Sequence, residues 1–197
     1  MRKLNHNIVI LGPHGSGNRL IMRLADHAFP GPPGSHAIRS LPVPKFNSST
    51  SLLDWADYYL IALRETSPWA QVRSKHAIRR HSNGVIDPVA TLAAAKDQWM
   101  IAYKQIYIAL GPFWERPDVR LIRYRGIIDD GPEYAINLMS EMLGTSTKGP
   151  YGENCDCCVG DDITDGDLKY DDVKKFLSEK EWIDLLKKVT EPPTEGR

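Results

Sequence analysis

The sequence predicts an α/β fold of three layers, with a central parallel β-sheet flanked by helices. Three observations predict it. Short, continuous apolar runs at residues 8–11 and 58–63 have strand length and no polar alternation, the pattern of strands buried on both faces, and apolar Val119, Leu121 and Ile122 after Pro117 mark another strand. Helix-length segments separate them, as crossover connections between parallel strands require. The first run ends in a glycine-rich turn, Gly12-Pro-His-Gly-Ser-Gly-Asn18, directly before a helical pattern.

The elements follow in order. Residues 8–11 form the first strand, ending at Gly12. The helix beginning near Asn18 places Leu20, Leu24 and Ala28 on one face with Ile21 beside them, and stops before Pro30-Gly-Pro-Pro-Gly34. Residues 35–40 are a short second strand, after which Pro42 and Pro44 hold the chain extended. A polar stretch at 48–51 caps a short helix through Trp55, and 58–63 is the next strand. Ser67-Pro68 opens a helix, with serine as cap and proline in the first turn. Asp87-Pro88 repeats that signal for a long helix to about Leu110, closed by Gly111-Pro112, with Trp99, Tyr103 and Ile106 facing the core. Residues 118–124 are a strand, and Gly131-Pro132 starts a helix ending at Gly144. Residues 145–167 are polar and rich in glycine and acid, a loop. Helices at 171–178 and 179–188 follow. A chain of 197 residues fits one domain over 1–190: core 7–144, acidic loop 145–170, C-terminal helices 171–190, then a frayed tail at 191–197.

No apolar run approaches the ~20 residues that span a bilayer, and the first one is too short for a signal-peptide core. A cytoplasmic location without membrane association is expected. The net charge is zero, yet residues 1–125 carry 17 Lys/Arg against 8 Asp/Glu, and 126–197 carry 8 against 17. A basic body with an acidic end suits a small polyanionic ligand better than nucleic acid, which needs a dominant basic face. Cys155, Cys157 and Cys158 form no disulfide framework, and three thiols without a nearby histidine fall short of a closed zinc site. Asp161 to Asp172 fails as a calcium loop because Ile163 stands at a ligand position.

The loop after the first strand carries the chemistry. A glycine-rich turn at a helix start aims backbone N–H groups and the positive end of the helix dipole at one point, and such a point binds phosphate. Gly12 and Gly17 have P-loop spacing, but Asn18 stands where lysine belongs and Arg19 where Ser/Thr would hold magnesium. Ligands of parallel sheets bind at the carboxyl ends of strands, so the segments after Leu11, Leu63 and Tyr124 should converge on this loop.

Three segments together resemble the sulfotransferase family. Gly12 to Asn18 resembles its phosphosulfate-binding loop. Ala62-Leu-Arg64, with Pro68 and Ser74 six residues beyond it, resembles the second motif, Arg64 lying two residues further from the proline than usual. Val119 to Pro132, running on to Gly144, resembles the strand-Tyr-Glu-Asp-Leu element and its helix, with Arg125-Gly126 replacing the acidic pair. The resemblance implies a P-loop NTPase-like fold that binds 3′-phosphoadenosine 5′-phosphosulfate without metal. The sulfuryl group passes to a hydroxyl or amine of a small-molecule, glycan or protein acceptor, leaving adenosine 3′,5′-bisphosphate. By the same analogy Gly12, Gly15, Ser16, Gly17, Asn18 and Arg19 surround the 5′-phosphosulfate, Arg64 and Ser74 hold the 3′-phosphate, and Tyr124 lies near the adenine. Ser35-His36, resembling the family's Thr-His-Leu-Pro segment, makes His36 the expected general base, with His14 a second candidate. Gly15 stands where the family carries Lys or Arg just before Ser-Gly.

Plainer readings stand beside these. Arg64 could pair with Glu65 or an aspartate, Ser74 could be an exposed helix residue, His36 a loop histidine, and Tyr124 a packing residue. Two other functions are open. A nucleotide or nucleoside kinase-like P-loop protein needs a lysine at position 18 and a magnesium-binding aspartate at a strand end. A catalytically degenerate nucleotide-binding or interaction module of the same fold needs neither, and Gly15 favours it.

Overall fold

Four parallel strands form one sheet in the computed structural model, which describes residues 6–28, 37–43, 50–66, 70, 88–144 and 176–191. They are β1 (Asn7–Pro13), β2 (Ala37–Val43), β3 (Tyr58–Leu63) and β4 (Val119–Arg123), in the spatial order β2-β1-β3-β4. Register places Leu11 beside Leu41 and Ile61, and Leu63 beside Arg123. Among the described residues the helices are α1 (Asn18–Ala28), α2 (Thr50–Trp55), α3 (Pro88–Leu110), α4 (Tyr124–Asp130), α5 (Pro132–Leu143) and α6 (Glu179–Thr190), with a 3-10 turn at Phe113–Glu115. This is the α/β class the sequence predicts.

The apolar runs of β1 and β3 are continuous because each strand feeds two cores. Val9, Leu11, Ile61, Leu63 and Leu121 point to one face, where they bury Trp99, Tyr103 and Ile106 of α3 and Trp182 and Leu186 of α6. Ile8, Ile10, Leu60, Ala62 and Ile122 point to the other, against Leu20 and Leu24 of α1 and Ala135 and Met139 of α5. Period-2 side-chain alternation on strands covered by helices produces this division. In the first core the rings of Trp99 and Tyr103 meet edge-on at 4.7 Å, and Trp182 lies 5.8 Å from Trp99.

The structure differs from the sequence reading in four places. The second strand runs over Ala37–Val43 rather than 35–40, and Pro42 lies within it, paired in register with Gly12. Proline is tolerated because β2 is an edge strand among the described residues, so one N–H is not needed for pairing. The third apolar strand ends at Arg123, and Tyr124 opens a helix the sequence did not announce. Gly126 masked it. A Cβ there would lie 2.6 Å from the Tyr134 ring, so the glycine is a packing requirement, while Arg125 and Asp129 close a 2.6 Å ion pair one turn apart. Phe113–Glu115 adds a short 3-10 turn.

Finally, residues 176–178 are not helical. Ser178 is extended and caps α6, its hydroxyl accepting from the Glu181 N–H while the Glu181 carboxylate accepts from the Ser178 N–H. That reciprocal pair begins a helix at Glu179 and precludes one running through Ser178. The helix expected from Pro68 lies largely outside the described residues. The acidic loop, the cysteine cluster and the tail beyond Glu191 lie outside them too. No helix among the described residues is long and apolar enough to cross a membrane.

Candidate functional site

Strand order reverses between β1 and β3. The connection from β1 leads to β2 on one side, and that from β3 leads to β4 on the other. Ligands bind in the crevice beyond the carboxyl ends at such a reversal, and the glycine-rich loop and Arg64 both lie at that end of the sheet.

The loop is built by bonds to itself. The Ser16 N–H donates to the Pro13 carbonyl at 3.0 Å, closing a turn, and the Ser16 hydroxyl lies 2.7 Å from the same carbonyl and 3.1 Å from Asn18 Oδ1. Asn18 Nδ2 donates to the Gly12 carbonyl at 3.2 Å. Ser16 and Asn18 are both buried. Asn18, in the lysine position of a P-loop, therefore ties the helix start to the strand end, and what it can offer a ligand is its backbone N–H. The first bond into α1 runs from Ile21 N–H to the Gly17 carbonyl, so the N–H groups of Asn18, Arg19 and Leu20 precede it as first-turn donors.

Two glycines are obligatory here. Gly15 and Gly17 have φ of 97° and 95°, in the left-handed region. A Cβ on Gly17 would also come within 2.5 Å of the Tyr124 ring. For Gly15 the consequence is chemical: the backbone that shapes this turn disfavours any lysine or arginine at the position. Gly12 is constrained by space alone, since a Cβ would meet Ser16 Oγ at 2.7 Å, Asn18 Oδ1 at 2.8 Å and Ala62 Cβ at 2.9 Å.

Arg64 joins the three segments. It is buried, donates from Nη1 to the Gly15 carbonyl at 2.9 Å, and stacks its guanidinium 4.2 Å from the Tyr124 ring centre. A positive charge thus lies beneath the loop, held by an aromatic face that favours it. Helix α3 pins the strand end behind it: Trp99 Nε1 donates to the Arg64 carbonyl at 2.9 Å and the Tyr103 hydroxyl to the Ala62 carbonyl at 2.8 Å. Burial raises the Tyr103 hydroxyl's pKa, so it remains a donor.

The expected site residues are therefore partly assembled. Gly12, Gly15, Ser16, Gly17, Asn18, Arg64 and Tyr124 meet around the crevice. His14 within the loop and Arg19 in the first helical turn are exposed. His36 and Ser74 lie outside the described residues. Arg39, which could have supplied the charge absent at Gly15, lies at mid-strand beside Val9 with its guanidinium 4.9 Å from the Trp55 ring.

Glu65 is the residue the sequence reading undervalued, naming it only as a partner for Arg64. It is the one buried acidic side chain among the described residues, 6% exposed, and its Oε1 has no hydrogen-bond partner. Burial raises its pKa, against the lowering effect of its own and the Leu177 backbone N–H groups and of the Arg64 and Arg123 charges. Arg123 is itself anchored, with Nε 3.2 Å from the Tyr134 hydroxyl and Nη1 3.5 Å from the Leu177 carbonyl. An acid two residues past an apolar run, at a strand's carboxyl end, was the signal available.

No protein-family model matches the chain, and no curated protein matches it in sequence. Among solved structures the chain is similar to the sulfotransferase domain from the Synechococcus PCC 7002 olefin synthase, at 12% identity and a TM-score of 0.49, over 98% of this chain and 90% of that one.

Proposed function

We propose that the crevice binds 3′-phosphoadenosine 5′-phosphosulfate and that the protein transfers its sulfuryl group to a hydroxyl or amine. One observation carries the reading: the first-turn donors of α1 and the Arg64 guanidinium are brought to the same glycine loop at the strand-order reversal. Backbone donors fixed in advance stabilise charge developing on a leaving phosphate without rearranging. Arg64 contributes positive charge there and, in the family pattern, binds the 3′-phosphate. Asn18 and Arg19 supply neither the lysine nor the hydroxyl that ATP-magnesium chemistry uses. His36 takes the acceptor's proton in this reading, Ser74 supports the 3′-phosphate, and Tyr124 borders the adenine.

Calorimetry with adenosine 3′,5′-bisphosphate and with ATP-magnesium tests the reading. The bisphosphate should bind and ATP-magnesium should not compete. Arg64→Ala should weaken bisphosphate binding ~10- to 100-fold, the scale of a charge-assisted hydrogen bond. Preference for ATP-magnesium would overturn the proposal. A second reading, a nucleotide-binding module without transfer activity, is favoured by the φ of Gly15, which disfavours the family's basic residue. Labelled sulfuryl transfer decides between them, and His36→Ala should cut the rate by ~10²- to 10⁴-fold if it is the base.

A further inference from the structure

Helix α3 holds the strand end behind Arg64 with one face, through Trp99 and Tyr103. Its opposite face is open and apolar. Met100 is 37% exposed, Ile101 48% and Ile108 82%, and the exposed large apolar side chains among the described residues all belong to this helix. Ala93, Ala94 and Ala109 beside them are exposed as well. A single exposed isoleucine is ordinary, but here the spacing is regular. Ala94, Asp97, Ile101, Lys104 and Ile108 follow at three- and four-residue intervals, which sets them in one stripe along the helix. Trp99, Tyr103, Ile106 and Leu110 are buried on the other side, so the stripe points away from the core.

The stripe carries two charges, and its own helix offers neither an opposite one. Three and four residues from Asp97 stand Ala93, Ala94, Met100 and Ile101; from Lys104, Met100, Ile101, Tyr107 and Ile108. The two charges are seven residues apart, about 10 Å along the axis, too far to pair with each other. They do lie on the same flank of Ile101 and almost symmetrically about it, at about 100° of rotation per residue. A second α3 laid antiparallel, with a two-fold axis at Ile101, keeps that flank in place. Asp97 then stands about 1.5 Å along the axis from Lys104 of the second copy, and the pair repeats on the other side of Ile101. Ile101 meets its own copy, and Ile108 falls opposite the small Ala94. A parallel pair would instead set Asp97 level with Asp97 and Lys104 level with Lys104.

We propose that the outer face of α3 is a self-association surface, on which a second copy of this chain docks antiparallel with Ile101 at the two-fold axis. The occupant follows from the charges: a stripe whose acid and base complement each other after a two-fold turn fits itself. One helix face buries less than the ~800 Å² per partner of a standard interface, so the dimer dissociates on dilution. The surface lies on the side of α3 away from Arg64, and its test is independent of the proposed donor site.

Sedimentation velocity of the full chain, from low micromolar to sub-millimolar concentration, should show a shift from monomer to dimer. Ile108→Glu should weaken the dimer by ~100-fold or more, because two isoleucines leave the interface at once. Its melting in dilute solution should match that of the unaltered chain, since Ile108 belongs to neither core. Asp97→Lys and Lys104→Asp should each weaken association by about tenfold or more, as like charges then face each other twice. Both exchanges in one chain should restore it. A monomer at every concentration would overturn the proposal and leave the stripe to a different protein. A dimer indifferent to Ile108→Glu, or single charge variants that the double exchange fails to rescue, would overturn it too.

Discussion

Gly17 shows how much of the site rests on single atoms. Its φ of 95° and its contact with the Tyr124 ring mean that a methyl group must both strain the backbone and displace an aromatic side chain that carries the Arg64 guanidinium. Gly17→Ala should therefore cost about 1–3 kcal/mol from the backbone alone. In a chain of this size that lowers the melting temperature by several degrees in a calorimetric scan. Bisphosphate binding should fall with it, because the loop and Tyr124 cannot both keep their places. Gly12 answers to a different constraint, crowding by Ser16, Asn18 and Ala62 rather than dihedral angle. Spacing in the sequence marked both glycines as loop residues. It did not separate the one held by φ from the one held by space, since that depends on what packs above each.

Among the helices, α6 shows a local signal overriding a broader one. Residues 171–188 read as two short helices, but Ser178 and Glu181 satisfy one another's backbone groups and set the start at Glu179. The last turn carries Lys187 and Lys188, which complement the helix dipole, and Trp182 and Leu186 face the first core. Ser178→Ala removes the cap and should destabilise the protein by about 1 kcal/mol, seen as a lower denaturant midpoint with an unchanged slope. Helix α4 makes the opposite point. Glycine within a helix lowers the expectation of one, yet Gly126 fits because the ring of Tyr134, from the following helix, occupies the space a side chain would need.

Over the whole molecule, stability should depend on pH through Glu65 in a direction unusual for a carboxylate. Its folded pKa is raised by burial, so the folded chain holds the proton to higher pH than the unfolded one. The stability this group contributes is complete below the ordinary carboxylate pKa and is lost as pH rises through the folded value. Asp118 runs the other way. Its hydrogen bond with Arg116 lowers its pKa, so its contribution is present above the ordinary value and lost on acidification through the folded one. Comparing Glu65→Gln with the unaltered chain isolates the first effect. The variant should gain relative stability from pH 5 to pH 8 in denaturant titrations, and a constant difference across that range would contradict the assignment.

By itself the sequence determined the strands, the glycine loop and the long helix, because continuous apolar runs, glycine spacing and Pro/Gly boundaries are local properties read within a few residues. It also marked Arg64 and Tyr124 as neighbours of the loop, since parallel strands present their carboxyl ends together. Only the tertiary structure decided what those neighbours do. Arg64 bonds the Gly15 carbonyl and stacks on Tyr124, and Asn18 turns its amide inward to Gly12. Glu65 is buried with one oxygen unbonded, and that burial raises its pKa. Each of these depends on which groups from distant segments share a buried volume. Burial and partner set the charge, pKa and hydrogen bonding of a side chain, and both arise only when β1, β3 and β4 are laid side by side.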